Sequence, residues 1–255
     1  MECIICNMEM KKIEGIFHCK STGNPLSIYK CNNCGLISQD QIASDYFEKA
    51  YSGDETFNYD YYRNTKAIIM RNCERFRYIR RFIREDSLVL DYGAGMGYFV
   101  KVCTDRGIKA DGIEKSIAAI KYADEMLKIK YIKEPSGKYN LITLWDTIEH
   151  LAHPVDTVNL LKDHLEGYLI IETANADTWK YNDSWSYLNI DHNYYFAVDT
   201  LKFMMEQLGF SFEGIINTRK YLKYLFPIIN DSKKSLNIFI FKYHVDLNNI
   251  KNKTI

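Results

Sequence analysis

Three glycines at every second position form a motif whose spacing suggests chemistry. Gly93, Gly95 and Gly97 follow the stretch "VLDY", in which Asp91 is the one charged residue. Glycines at the end of a strand allow a sharp turn and bring backbone N–H groups close to a ligand. The spacing is G-x-G-x-G, whereas dinucleotide-binding loops typically show G-x-G-x-x-G. The stretch predicts a ligand-binding turn, and a plain glycine turn is the alternative.

Two carboxylates narrow the choice of ligand. Asp91, two positions before Gly93, would repel a pyrophosphate and would pair with a positively charged group. Glu114 lies 23 residues after Asp91 at the tip of the next predicted strand, where a carboxylate can accept hydrogen bonds from ribose hydroxyls. S-adenosylmethionine (SAM) carries an amino group, a sulfonium and a ribose. The pair of acids therefore favours SAM over a dinucleotide.

Two C-x-x-C pairs predict a metal site near the N-terminus. Cys3 and Cys6 form one pair, Cys31 and Cys34 form the other, and 24 residues separate them. Four thiolates satisfy a tetrahedral Zn²⁺ and leave no open position, so the zinc would be structural. A unit of this size would draw its folding energy from the metal. Reduced cysteines without metal and a redox pair are the alternatives.

A cluster of acids and imidazoles supplies candidates for proton transfer. Asp146, Glu149, His150 and His153 occur in "WDTIEHLAHP", and His192 occurs in "NIDHNYYF". Methyl transfer to a hydroxyl requires removal of the acceptor proton, and a neutral imidazole suits that task. The first prediction for the base is His192 and the second is His150. The alternatives are that His150 caps or orients a helix and that His192 packs beside the neighbouring tyrosines.

These residues require an alternating α/β framework to bring them together. Residues 1–38 read as short strands and turns, and 39–85 as a tyrosine-rich connector followed by a helix from about Lys66. From residue 86 to 255 strands and helices alternate, which predicts a mostly parallel sheet covered on both faces, with a final antiparallel hairpin. Cys73 and Cys103 lie on apolar helical faces and read as core. His18 and Cys19 are spare candidates.

Composition excludes several classes of function. The chain has 255 residues, a formal net charge of +0 and 47% hydrophobic residues. A neutral balance gives no reason to expect nucleic acid or an anionic membrane as a partner. The start has no signal-peptide pattern and no run is long enough to span a membrane. We expect a cytoplasmic protein whose cysteines are thiols or metal ligands, not disulfides.

The motifs together resemble a known family. "VLDYGAGMGYF", the Glu of "GIEKS" and "YNLITLWDTIEHLAHP" resemble class I SAM-dependent methyltransferases, and more narrowly the bacterial subgroup that tailors sugars and surface polysaccharides, over about residues 55–245. The resemblance implies a Rossmann-like sheet and an N-terminal zinc unit that helps to shape the acceptor pocket. The cofactor-binding residues that it implies are Asp91, Tyr92, Gly93, Gly95, Gly97, Glu114, Trp145 and Asp146. Tyr59 and Tyr62 would close over the methyl group.

A narrower resemblance concerns a catalytic metal. Asp146-x-x-Glu149-His150 with His192 resembles the carboxylate and histidine set that holds a divalent ion in small-RNA 2′-hydroxyl methyltransferases and ubiquinone-pathway O-methyltransferases. Mg²⁺ or Mn²⁺ held there would lower the pKa of an acceptor hydroxyl. Asp stands where those enzymes have Glu, which argues against the metal.

The resulting prediction is methyl transfer from SAM to a hydroxyl oxygen of a sugar or sugar-linked group in surface-glycan assembly. The substrate, a glycan or nucleotide-sugar, follows from the resemblance alone. Trp179 and Trp185, after the fifth predicted strand, would roof the acceptor site. C-methylation of a nucleotide-linked keto sugar, a small molecule outside carbohydrates, and a non-catalytic binding module remain alternatives.

Overall fold

The computed structural model describes residues 1–15, 17–18, 25–40, 65–178, 192–217 and 236–243. The N-terminal part of these residues contains short strands only. They are Met10–Lys12 (β1), Phe17–His18 (β2), Pro25–Leu26 (β3), Ile28–Cys31 (β4) and Ile37–Gln39 (β5). Frequent turn residues keep these strands short, as the sequence predicts.

The rest of the described chain alternates strands with helices. The helices are Thr65–Ile79 (α1), Tyr98–Thr104 (α2), Ile117–Tyr122 (α3), Pro154–Asp163 (α4) and Val198–Gln207 (α5). The strands are Leu88–Tyr92 (β6), Lys109–Ile113 (β7), Tyr139–Trp145 (β8), Leu165–Ala174 (β9), Tyr194–Tyr195 (β10), Phe210–Asn217 (β11) and Leu236–Tyr243 (β12). Single turns of 3-10 helix occupy Arg80–Phe82, Ile148–His150 and Ala176–Thr178, and a π-helical turn occupies Ala123–Leu127.

The main sheet has the order β11-β12-β9-β8-β6-β7 among the described residues. β6 pairs in parallel with β7 and with β8, and β8 pairs in parallel with β9. β12 runs antiparallel to both β9 and β11. β7 therefore lies on one side of β6 and β8 lies on the other, so the strand order reverses at β6. The crevice at the carboxyl ends of β6 and β8 is where open α/β sheets bind ligands. The predicted Rossmann-like sheet with its antiparallel terminal hairpin is confirmed.

The second sheet joins the N-terminal strands to the α/β part. Its order is β1-β4-β5-β10, and its last strand comes from the segment just after His192. Tyr194 pairs with Ser38, and Tyr195 pairs with Ile37. The sequence analysis did not predict β10. A two-residue strand has no periodicity of its own, and it exists because β5 supplies its partner groups.

One hydrophobic core runs through both parts. Cys3, Cys31 and Leu36 belong to the same buried cluster as Leu90 and Ile142 of the central strands. The N-terminal strands are therefore packed against the α/β part and not only tethered to it. The predicted boundaries after residues 38 and 85 remain predictions. Within the described ranges, no helix combines the length and apolarity that a membrane crossing requires.

Candidate active site

The glycine turn leaves the tip of β6 and is anchored on β7. The N–H groups of Gly93 and Ala94 both donate to the Ile113 carbonyl oxygen, at 2.9 Å each. Gly93 has φ +78°, and a Cβ there would meet Thr147 Cγ2 at 2.5 Å. Gly95 has φ +54°, and apart from its own two chain neighbours no heavy atom of the described chain lies within 4 Å of the place its Cβ would take. The turn thus needs glycine at 93 to pass Thr147, and it leaves open space above 95.

Glu114 borders this open space. Its Oε2 accepts a hydrogen bond from Gly95 N at 2.7 Å, and its Oε1 accepts from Lys115 N and Ser116 N at 2.7 and 2.8 Å. A carboxylate offers about four acceptor positions, so Oε2 retains room for a further donor. On the other side Tyr131 donates its hydroxyl to the Gly95 carbonyl oxygen at 2.8 Å. Both peptide groups of Gly95 are therefore held in place.

Asp91 lies beneath the turn and is 2% exposed. Its Oδ1 accepts a hydrogen bond from Thr143 Oγ1 at 2.8 Å. Burial raises the pKa of Asp91 to about 7, although the Thr143 hydroxyl and the charge of Arg75 oppose this shift. A carboxyl with such a pKa gains from a cation nearby, because a positive charge stabilises its ionised form.

Trp145 ends β8 and Asp146 directly follows it, and both contact a pair of arginines from α1. Arg71 and Arg75 each place a guanidinium nitrogen on Asp146 Oδ2, at 2.6 and 2.8 Å. The same two side chains bind Glu172 of β9, at 2.6 and 2.5 Å. Arg75 also covers the ring of Trp145 at 5.0 Å. We call Arg71, Arg75, Asp146 and Glu172 the arginine cluster, and it fastens α1 across the carboxyl ends of β8 and β9.

The charges of the arginine cluster are matched. Glu172 is 2% exposed. Burial alone would raise its pKa, but Arg75 and Arg71 outweigh burial and lower the pKa of Glu172 to about 2. Asp146 adopts φ +49°, a backbone region that Asp tolerates better than most residues. The arginines were not singled out from the sequence, because their spacing on a helix says nothing about partners about 75 and 100 residues away.

Glu149, His150 and His192 form a second polar cluster, which we call the histidine cluster. One carboxylate oxygen and one nitrogen from each imidazole lie within 4.8 Å of one another. The rings of His150 and His192 meet edge to face at 4.6 Å between centroids. Glu149 and His150 sit in the 3-10 turn after β8, before α4 begins at Pro154. The structure thus brings together the two predicted base candidates.

Two buried atoms of the histidine cluster have no hydrogen-bond partner in the described part of the chain. They are Glu149 Oε2 and His192 Nδ1. Burial raises the pKa of Glu149 to about 7, although His150 opposes the shift. Burial, with a smaller contribution from His150, holds the pKa of His192 well below its ordinary value. Buried polar atoms without partners are costly in a protein interior, so this cluster is suited to receive a ligand.

The four predicted zinc ligands converge. One sulfur from each of Cys3, Cys6, Cys31 and Cys34 lies within 4.8 Å of the others. Cys3 Sγ and Cys34 Sγ are 3.5 Å apart, and Cys6 Sγ and Cys31 Sγ are 3.4 Å apart. Each pair is directly followed by a residue with positive φ, Asn7 or Gly35. Separations of this size suit four thiolates around one tetrahedral ion with Zn–S bonds of about 2.3 Å, so the residues fit a structural zinc.

The remaining sequence candidates are placed as follows. Tyr92 ends β6 and is half-buried, and burial raises its pKa. His153 precedes α4, and Cys103 is fully buried in the core. Cys19, Tyr59, Tyr62, Trp179 and Trp185 lie outside the described residues. The roles of the cofactor-binding set stay predictions, and the residues that the sequence analysis missed are Arg71, Arg75, Tyr131 and Thr143.

Comparison with known protein families agrees with this geometry. A family model described as "Methyltransferase domain" matches residues 59–213, which is more than half of the chain. The chain belongs to this family. Its fold is that of class I SAM-dependent methyltransferases, and the matched range includes the glycine turn, the arginine cluster and the histidine cluster. No curated protein sequence is significantly similar to the chain.

Several solved structures share the fold. The magnesium protoporphyrin IX methyltransferase ChlM from Synechocystis PCC 6803 with bound SAM is 15% identical, with a TM-score of 0.52, and the match covers 78% of this chain and 90% of that one. The plantazolicin methyltransferase BamL, in complex with a triazolic analog and SAH, is 18% identical with a TM-score of 0.55, covering 78% and 94%. A SAM-dependent methyltransferase from Archaeoglobus fulgidus is 19% identical with a TM-score of 0.51, covering 78% and 99%.

These similarities are informative about architecture only. Structural matches with sequence identities below one fifth show a shared fold, and a shared fold does not identify the substrate. ChlM is named for magnesium protoporphyrin IX and BamL for plantazolicin, which are different molecules. The acceptor of this chain must therefore be argued from its own site.

Proposed function

We propose that the chain transfers a methyl group from SAM to a hydroxyl oxygen of a sugar or sugar-linked acceptor, with the cleft above Gly95 as the SAM site. The observation that supports it most is the open space over Gly95 at the tip of β6, bordered by the Glu114 carboxylate. Glu114 Oε2 is available to a ribose hydroxyl. Asp91, beneath the same turn, supplies the negative charge that favours a cationic ligand. Tyr92, Gly93, Gly97, Trp145 and Asp146 complete the proposed cofactor-binding set.

The histidine cluster supplies the base in this proposal. When bound, SAM provides an electrophilic methyl carbon and a neutral thioether leaving group. His192 is neutral, and its buried Nδ1 has no partner in the described chain, so it is ready to accept the proton that the acceptor hydroxyl loses as the O–C bond forms. His150 packs against it and is the second candidate.

The substrate class, the cytoplasmic location and the structural zinc belong to the same proposal. Sugar hydroxyls are weak acids, so a positioned base is of most use for an acceptor of this kind. A small glycan or nucleotide-sugar needs polar side chains around it, and in this proposal the histidine cluster in the turn after β8 supplies them. The fit of the four cysteine sulfurs to one tetrahedral ion supports one zinc per chain.

A second candidate function is C-methylation of a nucleotide-linked keto sugar. Two proton acceptors stand side by side, a neutral His192 and a Glu149 whose pKa burial raises to about 7. That arrangement suits removal of a carbon-bound proton, which needs a base held in a dry site. Incubation of the protein with a keto sugar in deuterated water without SAM tests it. Deuterium uptake at the carbon next to the carbonyl supports C-methylation, and no uptake favours the hydroxyl acceptor.

A catalytic metal is the rival explanation of the histidine cluster. Its three ligand atoms are close enough to share one ion, whereas Asp146, part of the predicted ligand set, is held by Arg71 and Arg75. Mg²⁺ or Mn²⁺ added to the protein, with SAM and an acceptor present, should leave the turnover rate unchanged if His192 is the base. An increase that Glu149→Gln abolishes would favour the metal.

The test of the cofactor site is calorimetry with SAM. The wild-type chain should bind SAM, and Glu114→Ala should weaken binding by about tenfold, the effect of losing hydrogen bonds to a charged acceptor. Glu134, an acidic residue outside the cleft, provides a matched control as Glu134→Ala. No binding by the wild-type chain would instead favour a non-catalytic binding module.

The test of the acceptor is mass spectrometry. A panel of nucleotide-sugars, glycans and non-carbohydrate small molecules is incubated with the protein and SAM, and each is examined for the gain of one methyl group. Methylation of a sugar hydroxyl supports the proposal. Methylation confined to non-carbohydrate compounds would overturn its substrate class and keep its reaction class.

A further inference from the structure

Asn193 lies between the histidine cluster and the N-terminal strands. It is fully buried, with 0% exposure. Its backbone N–H donates to the Glu149 carbonyl oxygen at 2.9 Å, and its side-chain Nδ2 donates to the His150 carbonyl oxygen at 3.0 Å. One residue thus holds two consecutive peptide groups of the 3-10 turn that carries the cluster, and it directly follows His192.

The other side of Asn193 is bound by the N-terminal strands. Its carbonyl oxygen accepts hydrogen bonds from Ser38 Oγ at 3.2 Å and from Gln39 N at 3.4 Å. Ser38 and Gln39 are themselves 1% and 0% exposed, and they belong to β5, the strand that follows Cys34. The chain of hydrogen bonds therefore runs from the cysteine-bearing part, through Asn193, to Glu149 and His150.

We propose that Asn193 is a positioning residue that couples docking of the N-terminal strands to the geometry of the Glu149–His150–His192 cluster. This inference rests on the proposed function, because it assigns the cluster a task whose geometry matters. The N-terminal strands then affect the reaction indirectly, through the hydrogen bonds of Asn193. These bonds hold the backbone that carries the base, and their loss loosens the histidine cluster without changing the SAM cleft.

The physical reason is that two polar atoms of the cluster contribute nothing to holding it. Glu149 Oε2 and His192 Nδ1 have no hydrogen-bond partner within the described residues. The peptide groups that carry them are fixed instead, and Asn193 and β5 supply those bonds. Removing a buried hydrogen bond favours local opening of the segments that it joins.

The experiment measures how accessible His192 is to diethyl pyrocarbonate, with modification sites mapped by mass spectrometry. The full chain is used as purified, without chelator, and His153, which is exposed, serves as the internal reference. Asn193→Asp keeps the shape of the side chain and replaces the amide that donates to the His150 carbonyl oxygen by a carboxyl group. We expect it to raise the modification rate of His192 by about five- to tenfold, as expected for one lost buried hydrogen bond, with the SAM affinity unchanged. If Asn193→Asp does not fold, Asn193→Ser serves instead.

Two further variants separate coupling from general loosening of the N-terminal strands. Ser38→Ala removes a hydroxyl hydrogen bond to Asn193, and Thr200→Val removes a hydroxyl hydrogen bond to the Cys34 carbonyl oxygen at 2.8 Å. Both contacts join the N-terminal strands to the α/β part, but only the first reaches the cluster. Ser38→Ala should raise the reactivity of His192, and Thr200→Val should leave it unchanged.

The outcomes distinguish this inference from the proposed function. Equal reactivity of His192 in the wild type and in a folded Asn193 variant overturns the coupling, and so does an equal increase in Ser38→Ala and Thr200→Val. Absence of SAM binding by the wild type overturns the proposed function, and the reactivity of His192 still reports on the coupling. Once an acceptor is known, kcat should fall in Asn193→Asp while the KM for SAM stays constant.

Discussion

The arginine cluster and the histidine cluster lie at the same edge of the sheet and differ in one respect. In the arginine cluster the two carboxylates receive at least four ion pairs from Arg71 and Arg75. In the histidine cluster Glu149 Oε2 and His192 Nδ1 are buried without partners in the described chain. Both clusters include carboxylates from the end of β8 or the turn after it.

Under the proposed function, the difference separates a cluster that serves mainly stability from a cluster that serves the reaction. A buried charge with all its partners holds elements together, and removal of one partner leaves the other as an uncompensated buried charge. A buried polar atom without a partner lowers stability, and such a cost is typical of sites that receive a ligand. Asp146 and Glu149 are only three residues apart, yet the first is paired by two arginines and the second has a buried oxygen without a partner in the described chain.

The largest effect is expected in the histidine cluster. His192→Ala should lower kcat by about 10²- to 10⁴-fold, because general base catalysis contributes about that much. SAM affinity should stay constant, since the cleft above Gly95 is untouched. The measurement is turnover with the acceptor found by mass spectrometry, with His153→Ala as the matched control. Near-normal turnover would end the assignment of His192 as the base.

Breaking the arginine cluster should act on stability instead. Arg75→Ala leaves Glu172 buried with one arginine in place of two and uncovers Trp145, so the free energy of unfolding should fall by about 3–5 kcal/mol. Chemical denaturation measures it. Arg84, an exposed arginine, gives the control variant Arg84→Ala, with little change expected. A loss below about 1 kcal/mol would show that the cluster is not the main anchor of α1.

The pH dependence of stability should have opposite signs in the two clusters. Glu149 has a folded pKa of about 7 against an ordinary 4.5, so its contribution is present below pH 4.5 and is lost as the pH rises through 7. Glu172 has a folded pKa of about 2, so its contribution is present above pH 4.5 and is lost as the pH falls toward 2. Relative to wild type, Glu149→Gln should gain on the order of 3 kcal/mol between about pH 5 and pH 8.

The matched variant for this comparison is Glu172→Gln. Its difference from wild type should stay flat over the same pH range, because Glu172 is ionised throughout in both the folded and the unfolded chain. Urea titrations at several pH values measure both variants. A flat profile for Glu149→Gln would show that Glu149 already has a partner, and the contrast between the clusters would fail.

The smallest effect is expected at the rim of the arginine cluster. The side chain of Asp146 is 32% exposed, and Asp146→Asn keeps a residue that tolerates its φ of +49°. Water can replace part of the lost ion pairing, so the free energy of unfolding should fall by only about 1 kcal/mol. Thermal melting compared with Arg75→Ala checks it. A loss as large as that of Arg75→Ala would mean that the exposed ion pairs of Asp146 stabilise the fold as much as the buried ion pairs of Glu172.

The local patterns of the sequence were enough for the fold and for bringing together two sets of candidate ligand-binding residues. The predicted parallel sheet with its terminal hairpin is confirmed. Its strands and turns could be predicted because apolar runs and glycine turns are local signals, each contained within a few residues. Gly93, Gly95 and Glu114 come together, as do the four cysteines, because each set is read from short spacings next to strand ends. Nothing in such spacing distinguishes Asp146 from Glu149.

Only the tertiary structure decided which polar residues belong to the arginine cluster and which to the histidine cluster. Arg71 and Arg75 reach Asp146 and Glu172 across a sheet, and Asn193 joins β5 to the 3-10 turn of Glu149 and His150. These contacts link residues about 40 to 150 positions apart, and no periodicity records them. A buried carboxylate takes its role from the charges that the packed helices bring to it, so its function is a property of the folded chain.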